Sequence, residues 1–370
     1  MNVTEKTLED FRQYNIGNFL WIYVSPILII VGTFGNILSI CVLLRPKLRC
    51  STTMFYLTCL SFGDLFTLYT GLLRYWISKA FDVDVRHFSN ATCKIHAFLV
   101  YLSLDFTVWI LVSVTIDRCL RVSMPFKAKI ICTLKRSRYV IAVILFLLVI
   151  KNMHFLWNLQ LVDTSECDAK TEAVSNLLKY VWPWIDFSTF CLIPFSIMIA
   201  CNIKIIYRII RSQKKLNKHK DYYRTPTLKP KHDSPLSQDN SSEKSVQSTS
   251  MMSQMTSHQT SQQTSRVKKR SSARRISSLT AMLLTVNCVF LLTTSPIQAF
   301  LIGKEYWYSD KTPEEKIAWC NFWRAVVNML QYTNNAVHFF LYCLTGPIFR
   351  NELKTMLLDI VKGQSGGTKV

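Results

Sequence analysis

Residues 93–121 read CKIHAFLVYLSLDFTVWILVSVTIDRCLR. The stretch opens on Cys93, stays apolar for the length of a bilayer crossing, and closes on Asp117-Arg118 ahead of further basic residues. At about 1.5 Å per helical residue, Cys93 to Arg118 covers roughly 37 Å, somewhat more than a hydrocarbon core of about 30 Å. One helix therefore puts a cysteine at one membrane face and an acid next to an arginine at the other.

Composition extends this to the whole chain. The 370 residues are 49% hydrophobic and 12% aromatic, yet carry a formal net charge of +21. Neither a soluble enzyme nor a disordered basic protein combines these features. The basic residues cluster between apolar runs rather than on one soluble face, which argues for a polytopic membrane protein and against nucleic acid as a partner. Twelve cysteines occur without a CxxC pair or a cysteine/histidine cluster at metal-ligand spacing, so neither a zinc site nor a redox motif is indicated.

Apolar runs of about 20 residues recur over 20–44, 53–78, 94–118, 137–158, 180–207, 277–303 and 319–344, which predicts seven membrane helices. Short loops set their orientation. The link 45–52 holds Arg45, Lys47 and Arg49 with no acid, and 117–138 holds seven basic residues against Asp117. By contrast, 159–179 carries Asp163, Glu166, Asp168 and Glu172 against two lysines. The amino terminus is thus expected outside and the carboxyl terminus inside.

The expected organisation is an extracellular segment 1–18, spans one to five within 19–211, a loop 212–271, spans six and seven within 272–345, and a tail 346–370. The loop is rich in Ser, Thr, Gln and Lys, too polar to bury a core, and is predicted to be disordered with basic ends that continue the flanking helices. In the tail, Ile348, Phe349, Leu353, Met356 and Leu357 share one helical face, the pattern of an amphipathic helix lying on the inner membrane surface. Asn2-Val3-Thr4 is a glycosylation acceptor triplet at Asn2, and Asn90-Ala91-Thr92 is a second, directly before Cys93.

Several motifs recur at fixed intervals. Gly35-Asn36 lies in run one and Leu60-Ser61-Phe62-Gly63-Asp64-Leu65 in run two; Cys93 stands 25 residues before Arg118; Pro194 lies in run five; Pro296 follows Phe290 by six. Run seven reads Asn334-Asn335-Ala336-Val337-His338-Phe339-Phe340-Leu341-Tyr342, with Phe349-Arg350 beyond. Together these resemble the rhodopsin-like G-protein-coupled receptors, nearest to invertebrate neuropeptide receptors. The resemblance implies an all-α seven-helix membrane bundle with a short cytoplasmic helix, and a disulfide between Cys93 and Cys167. It departs at Cys119, where the usual motif has tyrosine, at Thr293-Thr294-Ser295-Pro296 in run six, and at His338 in run seven.

The resemblance assigns a G-protein coupling switch to Asp117, Arg118 and Tyr342, with the Arg118 guanidinium held by its neighbouring carboxylate until helices part. Alone, Arg118 reads more readily as a snorkelling residue at the inner face. Asp64 is a lone acid in an apolar run, costly without a partner. The family places a sodium ion there, for which Thr107 and Asn335 are the matching ligands, while a protonated His338 is a rival partner. No other cofactor is expected.

Arg74, Asp105 and Asp186 are further ionisable residues inside apolar runs. Asp105 and Asp186 fall at similar depth and suggest an acidic floor for a cationic ligand group, or else an internal polar network with Thr189 or Gln298. Tyr101, Trp182, Gln298, Arg324, Asn328 and Tyr332 lie in the outer halves of their runs and complete an expected mouth suited to a peptide. Taken singly, each aromatic is also an ordinary interfacial residue. Val100 stands where aminergic receptors of the family carry an aspartate, and run seven has no lysine for a retinal Schiff base.

Arg274-Arg275-Ile276-Ser277 is a basophilic kinase pattern that makes Ser277 a candidate phosphorylation site. The expected function is a non-enzymatic plasma-membrane receptor that binds an extracellular peptide and activates a heterotrimeric G protein, with arrestin and membrane lipid as further partners. The alternatives are a scavenging receptor of the same fold that does not couple to G proteins, and a transporter, for which no repeat or pair of broken spans argues.

Overall fold

The computed structural model describes residues 7–162, 166–222, 281–304, 307 and 312–365. Asn2, Ser277 and nearly all of the loop 212–271 lie outside these residues. Within them the chain is mostly helical. Helix α1 (Arg12–Leu43) contains a π turn at Leu20–Val24, α2 covers 52–81 with a π turn at Leu68–Leu72, and α3 is Asn90–Ser123. Next come α4 (Leu134–Asn152), α5 over 172–222, α6 (Ala281–Lys304), α7 (Glu314–Thr345) and α8 (Pro347–Ser365).

Among the described residues, five stretches, Arg12–Leu43, Asn90–Ser123, Leu134–Asn158, Glu172–Ser212 and Ala281–Lys304, are long and apolar enough to cross a membrane. Helices α2 and α7 are similar in length but more polar. Asp64, Arg74 and Lys79 interrupt α2; Glu314, Glu315, Arg324, Asn334, Asn335 and His338 interrupt α7. Most of those polar residues point inward, since Asp64, Arg74, Asn334, Asn335 and His338 are all buried.

Burial is inverted relative to a water-soluble protein. Phe34 is 70% exposed and Phe146 64% exposed, and Ile27, Ile30, Leu147, Ile193 and Ile203 are exposed with them. The interior instead holds Asn36, Ser39, Ser61, Asp64, Thr107 and His338. Such a surface is stable only where the surrounding medium is itself apolar.

Helix α3 packs against α2, α4 and α5. Its start is fixed by a reciprocal cap, in which the Thr92 amide donates to Ser89 Oγ and the Ser89 amide to Thr92 Oγ1. A hairpin of β1 (Leu159–Val162) and β2 (Glu166–Ala169), with Leu161 opposite Cys167, sits over this end. The Cys93–Cys167 disulfide joins the hairpin to α3. Asn90 Oδ1 accepts the Leu161 amide at 3.3 Å, so the acceptor triplet at Asn90 adjoins the hairpin.

At the other end, α8 turns from α7 at Gly346. Arg350 Nη1 donates to the Cys343 and Leu344 carbonyls that end α7, and Glu352 and Asp359 pair with Arg45 and Lys47 of the first short loop. Phe349 is buried, whereas Leu357, Leu358, Ile360 and Val361 are exposed.

Close approach of α1 to α7 depends on glycine. A Cβ on Gly32 would lie 2.5 Å from Leu68 Cδ1 and 3.1 Å from Ala336 Cα, and one on Gly35 would lie 3.0 Å from Phe339 Cβ. Small residues of this kind let helices meet in lipid, where no hydrophobic force draws them together. Gly32→Val is expected to cost about 1–3 kcal/mol through overpacking. It should lower the melting midpoint of the detergent-solubilised protein, while Phe34→Leu on the exposed face leaves it unchanged; equal midpoints for both would refute this packing.

Candidate functional site

Candidate functional side chains gather at three levels beside α3. At the Cys93 end, Arg74, Tyr101, Asp105, Asp186, Gln298, Arg324, Asn328 and Tyr332 line one cavity of about 220 Å³. They come from α2, α3, α5, α6 and α7. Trp182 departs from expectation: it packs with Cys93, Phe155 and Leu159 beneath the hairpin, edge-on to Tyr101 at 6.1 Å, and serves as support for the wall. Arg86, His96, Lys304 and Gln331 line the cavity as well, and the sequence reading did not single them out.

Asp105 and Asp186 do meet, but not as an acidic floor. Lys151 of α4 lies between them, its Nζ 3.0 Å from both Asp105 oxygens and 2.8 Å from Asp186 Oδ1. Asn152 Nδ2 donates to Asp105 Oδ2 at 2.7 Å, and Gln298 Nε2 approaches Asp186 Oδ2 at 3.5 Å. The Thr189 hydroxyl donates to backbone carbonyls instead. The expected site for a cationic ligand group is thus already filled by a lysine of the chain itself, and the polar-network alternative describes it better. Lys151 stands alone in an apolar run, the same signal that marks Asp64, so it was open to detection.

At the middle level, Asp64 is fully buried and both its oxygens are engaged. Asn335 Nδ2 donates to Oδ1 at 2.8 Å and His338 Nδ1 lies 2.6 Å from Oδ2. Asn36 Nδ2 donates to the Asn335 and Gly32 carbonyls. The Thr107 hydroxyl donates to the Leu104 carbonyl 2.8 Å away rather than facing the carboxylate. With one nitrogen against each carboxylate oxygen and the Thr107 hydroxyl turned to its own helix, a sodium ion at Asp64 would have to use the second lone pair of those oxygens. Among the described residues no cluster of three His, Cys, Asp or Glu side chains forms a metal site.

At the Ser123 end of α3, the expected pair of Asp117 with Arg118 is absent. Asp117 accepts from Thr52 Oγ1 at 2.7 Å, from Thr53 Oγ1 at 2.8 Å and from Arg121 Nε at 3.0 Å. The reason is helical geometry: residues one apart project in different directions, whereas residues four apart share a face. Arg121 also donates to Thr52 and to the Cys132 carbonyl. Arg118 is buried, with no ion pair or side-chain hydrogen bond among the described residues. Tyr342 is buried between His338 and Phe349, its ring stacked 6.1 Å from the imidazole. Asn287 Nδ2 joins α6 to α3 through Thr115 Oγ1 at 3.0 Å. Thr52, Thr53, Arg121 and Asn287 carried no signal that separates them from ordinary loop and span residues.

The Lys151 triad is open to a direct check. Removing one partner from a buried ion cluster costs about 3–5 kcal/mol, mostly through the charge left behind. Lys151→Met should lower the melting midpoint and surface expression, and adding Asp105→Asn with Asp186→Asn should recover much of the loss. A Lys151→Met protein as stable as the parent would refute the bridge.

A sequence profile described as 7 transmembrane receptor (rhodopsin family) matches residues 35–342. Among curated proteins, the chain is 25% identical to the FMRFamide peptide receptor frpr-18 of Caenorhabditis elegans, over 51% of this chain and 46% of that receptor. It is 32% identical to human G-protein coupled receptor 65, over 55% of this chain and 61% of the relative. Against human cysteinyl leukotriene receptor 1 the identity is 25%, over 58% and 63% of the two chains. The chain therefore spans about half to three fifths of the length of these relatives. A profile match of this extent, laid over helices whose polar residues face inward, makes the chain a member of the rhodopsin family of seven-transmembrane receptors.

Proposed function

We propose that the chain crosses the plasma membrane seven times with its amino terminus outside, binds an extracellular neuropeptide at the outer cavity, and activates heterotrimeric G proteins at the inner end of α3. The two apolar runs that complete the seven are α2 and α7, whose polar residues face the interior. Helix α8, with Phe349 turned inward and Leu357 and Leu358 outward, lies along the inner lipid surface. Ser277 and the Ser/Thr-rich loop are candidates for kinase and arrestin control, and Asn2 for glycosylation.

The carrying observation is the placement of cavity and arginine on one helix. Tyr101 and Asp105 line the cavity, and Arg118 lies 17 residues after Tyr101, roughly 25 Å along the axis. A cavity of 220 Å³ is smaller than the roughly 300–1,000 Å³ of sites that enclose a whole small ligand. It suits a side chain or two of a peptide whose remainder lies over the hairpin. A peptide is also what the similar FMRFamide peptide receptor binds by name.

Arg118 contacts the partner in this scheme. With Asp117 already held by Thr52, Thr53 and Arg121, no carboxylate needs to release it; only the packing around it must open. A peptide collection applied to transfected cells should yield agonists that stimulate nucleotide exchange. Arg118→Ala should abolish exchange while surface expression and peptide binding persist. Peptide uptake without any exchange would select the scavenging receptor instead.

Because His338 and Asn335 already satisfy Asp64, agonist potency should stay within about twofold when external sodium is replaced by N-methylglucamine, a coupling near zero. His338→Asn frees one carboxylate oxygen and should introduce a sodium dependence. A marked sodium effect on the parent protein would refute the closed Asp64 site.

A further inference from the structure

Resting on the orientation proposed above, which puts the link between α3 and α4 in the cytoplasm, we propose that this link binds the headgroup of a polyphosphorylated inositol lipid of the inner leaflet. The link carries Lys127, Lys129, Lys135, Arg136 and Arg138, and no aspartate or glutamate occurs from Arg118 to Val162. Basic residues in an inner loop follow from topology alone, so their number by itself names no ligand. What separates this link is what its cations do.

The other short inner link neutralises charge within the protein. Arg45 pairs with Glu352 and Asp359 of α8, and Lys47 with Glu352. Arg121, near the end of α3, is likewise paired with Asp117. By contrast, Lys127, Lys129, Lys135, Arg136 and Arg138 are all exposed and form no ion pair among the described residues.

Local geometry gathers these groups and turns them outward. A short helix, Pro125–Ile131, leads to Thr133, whose hydroxyl accepts the Arg136 amide at 3.4 Å and caps α4. Arg121 Nη2 donates to the Cys132 carbonyl at 3.2 Å and pins the corner between the two helices. Ala128 is buried in the first helix and Ser137 in the second. At about 100° per residue, Lys127 and Lys129 flank Ala128, as Arg136 and Arg138 flank Ser137. Phe126 and Ile130 take the outward face of the short helix, and Lys135 and Tyr139 that of α4; Phe126 is 83% exposed and Tyr139 72% exposed. Further along α4, Val143, Phe146, Leu147 and Ile150 are exposed, an apolar surface that continues into lipid. The first turn of α4 therefore lies at headgroup depth.

Diffuse attraction to lipids of single charge requires only total charge near the surface. Two guanidinium groups on either side of one helical turn, with ammonium groups beside them, suit phosphomonoesters instead. Arginine gives these two parallel hydrogen bonds and lysine a point charge. The exposed apolar side chains next to them meet the acyl chains of the same molecule.

The test titrates full-length protein in mixed micelles with phosphatidylinositol bisphosphate tagged on an acyl chain, then displaces the probe with untagged competitors. The untagged bisphosphate lipid should displace it at least about tenfold more effectively, per unit charge, than phosphatidylserine. Soluble inositol trisphosphate should compete more weakly than the lipid, for want of acyl chains. Lys135→Gln with Arg136→Gln and Arg138→Gln should bring the preference close to one, and Lys127→Gln with Lys129→Gln, a separate variant on the short helix, should lower it. Removing three charges elsewhere, by Lys204→Gln with Arg208→Gln and Arg211→Gln towards the inner end of α5, should leave it intact. Equal displacement by the two lipids, or a preference that survives both link variants with their melting midpoints unchanged, would overturn the site. Trisphosphate competing as well as the lipid would assign the surface to a soluble phosphate and overturn the lipid. A parent protein without lipid preference, whose triple variant still loses nucleotide exchange, would assign it to the G protein. An amino-terminal epitope accessible on intact cells keeps the proposed orientation standing if the lipid fails; one reached only after permeabilisation would overturn both.

Discussion

A buried acid in a bilayer is costly without a partner, and the described helices provide one for several acids at successive depths. Lys151 joins Asp105 to Asp186 towards the Cys93 end of α3, His338 and Asn335 enclose Asp64 midway, and Arg121 with two threonines holds Asp117 at the opposite end. Each cluster links different helices: α3 to α4 and α5, α2 to α7, and α2 to α3. Because hydrocarbon offers no alternative partners, these contacts fix how the helices are rotated even though the apolar faces outside are nearly featureless. Glycines at α1 and the disulfide at the hairpin then set how closely the helices and the outer loop approach.

Much of the fold was legible because two strong signals coincide. Apolar run length gives the helices, and the loops between them are too polar to be anything else. The lone acid Asp64 announced a buried site and its neighbours in α7 announced themselves as partners. Cys93 and Cys167 were paired only through family resemblance, since nothing in their spacing alone chooses a partner among twelve cysteines.

What the sequence concealed was pairing. Asp117 and Arg118 are adjacent in sequence, which invites an ion pair, but adjacency on a helix separates side chains and the four-residue interval to Arg121 joins them. Asp105 and Asp186 looked like an unsatisfied pair because Lys151 belongs to a helix 46 residues from the one and 35 from the other. The same blindness placed Trp182 in the cavity, when its ring is the wall's support. Supplying Lys151 changes the electrostatic sense of the site, since an internal counter-ion stands between the two acids.

Under the proposed function, α3 connects two events: occupancy of the cavity beside Tyr101 and Asp105, and exposure of Arg118, which is buried in this conformation. Linkage requires that each end alter the other's affinity by the same factor. The direct measurement is the dissociation constant of an agonist peptide from the purified receptor, with and without saturating nucleotide-free G protein. If cavity and arginine belong to one coupled device, agonist affinity rises by about tenfold with the G protein bound and the gain disappears in Arg118→Ala. Equal affinity in both states, with G protein demonstrably bound, would contradict it.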